Sequence, residues 1–198
     1  MKNNLKVQQL RLKEELILSA VNGLLAQKGY DLMTMDDVAS AVGVGKPSLY
    51  KLFSSKEQLA AAAMARLLER ALGVIQAQPA LAAPLEKLKA VLRWALEQHL
   101  QGAMPLLPAT RSTLREALLK HEPYVQRLGE VAAALSDWIE AAQKDGALGP
   151  APTEVVLYIL FARTCDPVLE YLQSSGAFTD AQIVDTLLAA TFDGLRRR

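Results

Sequence analysis

Apolar positions along this chain recur every three to four residues, over stretches long enough to specify helices. In the first stretch, Ile17, Ala20, Val21, Leu24 and Leu25 fall at i, i+3, i+4, i+7 and i+8, predicting a helix with one apolar face over about residues 8–28. Gly29 stands where a helix C′ residue is wanted, because glycine takes a positive φ without strain. Thr34 opens a short second helix with apolar positions Val38, Ala39 and Val42. Asp37, three residues after Thr34, gives capping-box spacing, and Gly43 ends the helix. A third short helix covers about 46–53, with Pro47 in its first turn, where a missing N–H costs nothing. Ser54 and Ser55 break the pattern, and Ser55 with Gln58 repeats the capping spacing ahead of a long fourth helix over 56–76. Five more helices are predicted over about 85–101, 108–120, 124–144, 153–174 and 179–197, with Thr153 and Thr179 as N-caps of the last two. Asp166–Pro167 kinks the penultimate helix. The expectation is an all-α chain of about nine helices. A three-helix head over 1–58 is followed by a larger helical domain over 59–198, with the boundary inside the fourth helix.

Composition agrees with a folded helical chain. Of 198 residues, 51% are hydrophobic and 22% charged, while aromatics make up only 6%. No apolar run approaches the roughly 18 residues a membrane span needs, and the first residues carry charges without the apolar core of a signal peptide. The single cysteine, Cys165, has no partner for an intrachain disulfide or a cysteine-rich metal site, and reads as an inert buried thiol. These features lead to the expectation of a soluble cytoplasmic protein. Net charge is +1. Residues 1–60 hold eight Lys/Arg against six Asp/Glu, an asymmetry with the sign of a DNA-binding head but too small to carry that reading.

Spacing carries it instead. Residues 34–59, TMDDVASAVGVGKPSLYKLFSSKEQL, read as two short helices joined by a tight turn at Gly43, with a further helix beginning at once. A helix-turn-helix has this shape: the first helix crosses the DNA backbone and the second enters the major groove. Val38, Leu49 and Phe53 would pack the unit against the first helix. Lys46, Pro47, Ser48, Tyr50 and Lys51 would then face outward, a set able to hold phosphates and read base edges. Any one of these lysines alone would be an ordinary solvated side chain; their joint register is what counts.

The segment resembles the DNA-binding signature of the tetracycline-repressor (TetR) family. The resemblance rests on Thr34, Val38–Ala39, Gly43–Val44, the polar start at 45–48, Leu49–Tyr50, Phe53 and the run Ser55–Leu59, with Gly29–Tyr30 upstream. It implies a DNA-contact set of Thr34, Val44, Lys46, Pro47, Ser48, Tyr50, Lys51 and Lys56. Within that set, Thr34 caps the second helix and faces phosphate, Lys46, Pro47 and Ser48 start the recognition helix, Tyr50 holds phosphate, and Lys56 adds a cation at a helix N-terminus. Gly45 stands where the family commonly has serine, and Pro47 where it commonly has glycine. A residue before proline is biased away from helix, so the recognition helix is free to start one residue later.

The resemblance also implies that residues 60–198 bind an effector and dimerise. Residues 155–162 are apolar on all sides, and the last helix is apolar over more than one stripe, which suits either a wide intrachain core or a four-helix interface between two copies. Val155, Ile159, Ile183, Leu187 and Thr191 are the candidate interface residues. For an apolar effector pocket with a few polar groups, the candidates are Trp94, His99, Met104, Tyr124, Trp138, Phe161 and Arg163, each of which also suits plain core. His99 and His121 are the only histidines, and no metal-binding HExxH, phosphate-binding glycine loop or GxSxG occurs, so no catalysis, metal or cofactor is expected. The expected function is a dimeric repressor that leaves a near-palindromic double-stranded operator when a small molecule binds. An activating or ligand-independent regulator of the same family is the alternative, with a helical enzyme or an adaptor that binds protein partners ranked behind it.

Overall fold

A computed structural model describes residues 2–105 and 113–194. Every regular element among them is an α-helix, as the periodicity predicts. There are ten: α1 (Lys2–Leu32), α2 (Met35–Val42), α3 (Lys46–Tyr50), α4 (Lys56–Gln76), α5 (Pro84–Leu100), α6 (Thr113–Lys120), α7 (Glu122–Lys144), α8 (Thr153–Arg163), α9 (Val168–Ser174) and α10 (Asp180–Gly194). The first part of the helix expected over 108–120 and the end of the one expected over 179–197 lie outside the described residues. No helix among the described residues is long and apolar enough to cross a membrane.

The chain divides into two compact units. One comprises Met1–Leu67 with Pro105–Val125, the other Leu68–Met104 with Gln126–Arg198. The sequence reading closes the head at residue 58; the division at Leu67/Leu68 also falls inside α4.

The first unit is built on α1 and α4. Ile17, Val21 and Leu25 of α1 are almost wholly buried, as are Val38 of α2, Leu49 of α3 and Leu59 of α4. Each such side chain contributes on the order of 1.5–3 kcal/mol by leaving water. Asn22 Nδ2 donates to the Ala63 carbonyl at 3.1 Å, a buried polar tie between α1 and α4. The helical span of α1 reaches Leu32 across a break at Gly29, whose φ of 73° and ψ of 171° belong to a region that is essentially glycine's alone. Nothing lies within 4 Å of a Cβ built there, so backbone conformation, and not space, demands the glycine.

In the second unit α5, α7, α8, α9 and α10 share one core, with Leu88, Leu96, Ile139, Val156, Leu169 and Phe192 at its centre. The helix expected over 153–174 is two helices. Pro167 offers no N–H and disfavours helix at Asp166, and Asp166 builds the break: its carboxylate accepts from Val168 N at 3.1 Å and from Arg163 Nη1 at 2.6 Å. Thr153 is the first helical residue and not the cap; Pro152, extended at φ −55° and ψ 131°, takes that position. Thr179 does cap α10, accepting from Gln182 N at 3.3 Å while Gln182 Oε1 accepts from Thr179 N at 2.9 Å.

Candidate nucleic-acid interface

α2 is fixed at both ends by its own sequence. Thr34 is extended, at φ −118° and ψ 161°, and its Oγ1 accepts from Asp37 N at 3.1 Å and donates to Asp37 Oδ2 at 2.7 Å. Asp37 Oδ2 also accepts from Thr34 N at 2.8 Å, completing the capping box. Lys28 Nζ lies 2.9 Å from the other carboxylate oxygen. Lys28 first, then the two Thr34 donors, hold the Asp37 carboxyl down at about 2, well below the usual carboxylate range. At the other end Gly43 is left-handed, at φ 65° and ψ 35°. Gly43 N donates to Ser40 O at 3.3 Å and Val44 N to Ala39 O at 3.0 Å, the paired bonds that let a helix stop and turn within two residues.

That turn delivers α3. Gly45 is its extended N-cap at φ −71° and ψ 141°, Pro47 sits in its first turn, and Ser48 N donates back to Gly45 O at 2.8 Å. The helix starts at Lys46, so the one-residue shift that the proline allowed does not occur. It ends at Tyr50 and not near 53: Leu52 N donates to Leu49 O at 2.9 Å in a tighter i→i−3 turn, and Phe53 N closes the last turn on the same carbonyl at 2.8 Å. Leu49 and Phe53 point into the unit, at 0% and 5% exposure. Lys46, Pro47, Tyr50 and Lys51 are exposed, while Ser48 and Val44 are half-buried beside them and Thr34 is exposed.

Two lysines have partners that spacing did not reveal. Lys46 Nζ donates to Asp36 Oδ2 at 2.9 Å, across the turn. The pair raises the lysine's pKa, chiefly through that hydrogen bond. Lys56, expected as a free cation at the start of α4, donates to the carbonyls of Tyr30 at 2.9 Å and Met33 at 3.0 Å, and stands 4.2 Å from the centre of the Tyr30 ring. Tyr30 Oη donates to Glu57 Oε1 at 2.7 Å, which is the main reason that carboxyl lies below its ordinary range. The first turn of α4 is thereby bolted to the end of α1, and one of the three Lys56 donors is left over.

The effector candidates divide between the two units. Tyr124 is buried in the first unit, while Trp94, His99, Met104, Trp138, Phe161 and Arg163 belong to the second. Trp94 packs on the core under Arg70, 5.8 Å away, and Trp138 under Lys87, 5.7 Å away. His99 is buried with Nδ1 3.0 Å from the Thr164 carbonyl, and Arg163 is paired with Asp166. A cleft of about 480 Å³ opens between α5 and α10, lined by Glu86, Lys89, Arg93, Leu188, Phe192 and Asp193 among others, with none of the seven candidates in its wall. The interface candidates also divide. Ile183 and Thr191 are 2% and 5% exposed, within the core of their own unit; Val155 is 49% exposed, and Ile159 and Leu187 are half-buried. Tyr158, which the sequence reading passed over, is 64% exposed.

Comparison with known proteins bears on both units. Residues 17–63 match the family described as "Bacterial regulatory proteins, tetR family". The HTH-type transcriptional regulator TcmR of Streptomyces glaucescens is 30% identical over 136 residues, covering 63% of this chain; the chain spans 60% of TcmR. The fatty acid degradation regulator FadR from Bacillus halodurans superposes with a TM-score of 0.71 at 20% identity, over 94% of this chain and 97% of that one. AibR, solved in complex with isovaleryl coenzyme A and operator DNA, superposes at 0.63 with 22% identity, over 91% and 98%. The helix-turn-helix geometry around α2 and α3 falls within the stretch, residues 17–63, that is similar to the tetR family of bacterial regulatory proteins, and nearly the whole chain shares its fold with the solved regulators FadR and AibR.

Proposed function

We propose that the protein is a homodimeric DNA-binding transcription regulator, a repressor that leaves its operator when a small molecule occupies the second unit. The observation that carries this reading is the exposure pattern of α3. A five-residue helix held down by Leu49 alone turns Lys46, Pro47, Tyr50 and Lys51 to solvent, directly after a turn closed by Gly43. In this reading α3 enters the major groove with Pro47 and Ser48 nearest the base edges and Lys46 at the lip. Tyr50 and Lys51 hold phosphates, as does the exposed N-terminus of α2 at Thr34. Val155, Tyr158, Ile159 and Leu187 meet the same residues of a second copy. Two recognition helices then face half-sites about 34–36 Å apart, or a multiple of a helical turn. AibR has been solved with both an acyl thioester and operator DNA, which supports a two-ligand reading of the same fold. Effector binding would favour a conformer whose heads are wrongly spaced, and its differential affinity sets the response.

Selection of duplexes from a random pool by the purified protein, followed by fluorescence anisotropy across a salt series, tests this. A defined near-palindromic site should emerge. Its binding should weaken with salt at a slope of about −0.9 per phosphate contacted, and a Tyr50→Phe/Lys51→Ala variant should give a shallower slope. A protein that retains no duplex even in 50 mM salt is not this regulator.

A further inference from the structure

Asp36 occupies the second position of α2, one residue before the capping aspartate, and its local role is different. Asp37 is held by Thr34 and Lys28 and keeps the helix end in place. Asp36 caps nothing. Its carboxylate reaches across the helix-turn-helix turn to Lys46 Nζ at 2.9 Å, with both side chains open to solvent, Asp36 at 71% exposure and Lys46 at 45%. An exposed pair of this kind adds little to stability. Its consequence lies with a polyanion. Lys46 is the first residue of α3, and a lysine at such a position is ordinarily able to contact guanine O6 and N7 in the groove. To do so in this protein it must first leave Asp36, and the abandoned carboxylate would then stand bare on a surface that faces phosphates. The second loss is the larger: a carboxylate left bare among phosphates adds like-charge repulsion well beyond the small worth of the exposed pair, and that repulsion opposes the base contact.

We propose that Asp36 is a specificity-determining residue of the DNA-contact surface: by holding Lys46 across the turn it removes that lysine from base reading, and the half-site is read by the residues that follow it on α3. The inference rests on the regulator reading above and deepens it. It gives Lys46 a conditional role that a list of cations on the recognition helix does not contain.

The test is duplex selection from one random pool with four proteins: the parent, Asp36→Asn, Lys46→Ala and the double variant. Far-UV circular dichroism checks that the Thr34–Asp37 cap and the helices persist. Lys46→Ala should weaken binding to all duplexes to a similar degree, because a lysine held at the lip supplies charge without base contacts, and the bases in its consensus should be the parent's. Asp36→Asn should add a guanine preference in each half-site at the position under the start of α3, enriched at least threefold over the parent's pool, and the double variant should lose it again. If Asp36→Asn selects the parent's consensus unchanged, or if Lys46→Ala alone erases a base from it, Asp36 does not have this role. Failure of the parent to select any duplex is a separate result, which removes the regulator reading and this inference with it.

Discussion

Asp36 and Asp37 are adjacent carboxylates with different tasks, and the capping task of Asp37 is measurable by titration. Asp37 is held ionised by Lys28 and by two donors of Thr34, with its pKa down at about 2. A carboxyl whose folded pKa lies below its unfolded value stabilises the fold fully above the unfolded value, near 3.8, and loses that contribution as pH falls through the folded value, near 2. The first turn of α2 should therefore weaken between about pH 4 and pH 2. Thermal melts of the parent and of Asp37→Asn across that window check this: the parent's melting temperature should fall more steeply, and added salt should narrow the difference, because the group lies near solvent. Parallel curves would remove the cap from the acid response. The Thr34–Asp37 half of this site was legible in the sequence, because capping joins residues three apart and the bond pattern follows from the spacing. The ties from Lys28 to Asp37 and from Lys46 to Asp36 were not, because each crosses a turn whose geometry had to be known first.

Among the elements, the docking of α4 on α1 assigns Lys56 a structural task that its place in the signature did not suggest. Its ammonium neutralises two carbonyls, Tyr30 O and Met33 O, at the end of α1, where helix carbonyls lack intrahelical partners. Met33 itself is fully buried, so solvent cannot readily replace the lost donor. Lys56→Ala should cost about 1–3 kcal/mol, the usual range for a hydrogen-bonded charge whose partner is left unsatisfied. That lowers the melting temperature by roughly 2–4 °C for each kcal/mol in a chain of this size. A side chain serving phosphate alone would leave the melt unchanged and lower only DNA affinity, so calorimetry of the free protein separates the two roles. Local chemistry made α2 readable nearly to the residue and fixed the start of α3, because Thr34, Gly43 and Pro47 each impose a backbone conformation; the end of α3, expected near 53, was not readable in that way. The break after α8 was read as a kink in one helix, because proline marks where a helix is weakened but not whether neighbouring side chains will complete the interruption. Asp166, bonding both Val168 N and Arg163, completes it.

For the molecule as a whole, the sequence showed that α8 and α10 are broader in apolar character than a single buried face needs, but not which side would be left over. Packing answers that. Ile183 and Thr191 are enclosed by their own unit, whereas Val155 and Tyr158 remain at 49% and 64% exposure. A stable dimer buries about 1,200–2,000 Å² in total, and exposed apolar side chains on α8 with half-buried neighbours are the place where such area is available. Two substitutions separate core from interface. Ile183→Asp puts a charge where 2% of the side chain meets water, and should abolish cooperative unfolding. Tyr158→Glu puts a charge on a side chain that solvent already reaches in the single chain, so the helical content of each subunit should persist. Burying that charge against a second copy should raise the dimer's dissociation constant at least tenfold, equivalent to about 1.4 kcal/mol. Sedimentation equilibrium reads the constant and circular dichroism the fold. In the proposed dimer two half-sites are gripped together, so the same variant should bind a selected palindrome much more weakly than the parent while keeping its affinity for a single half-site. A Tyr158→Glu protein that sediments as the parent does would place the dimer contact elsewhere on the chain.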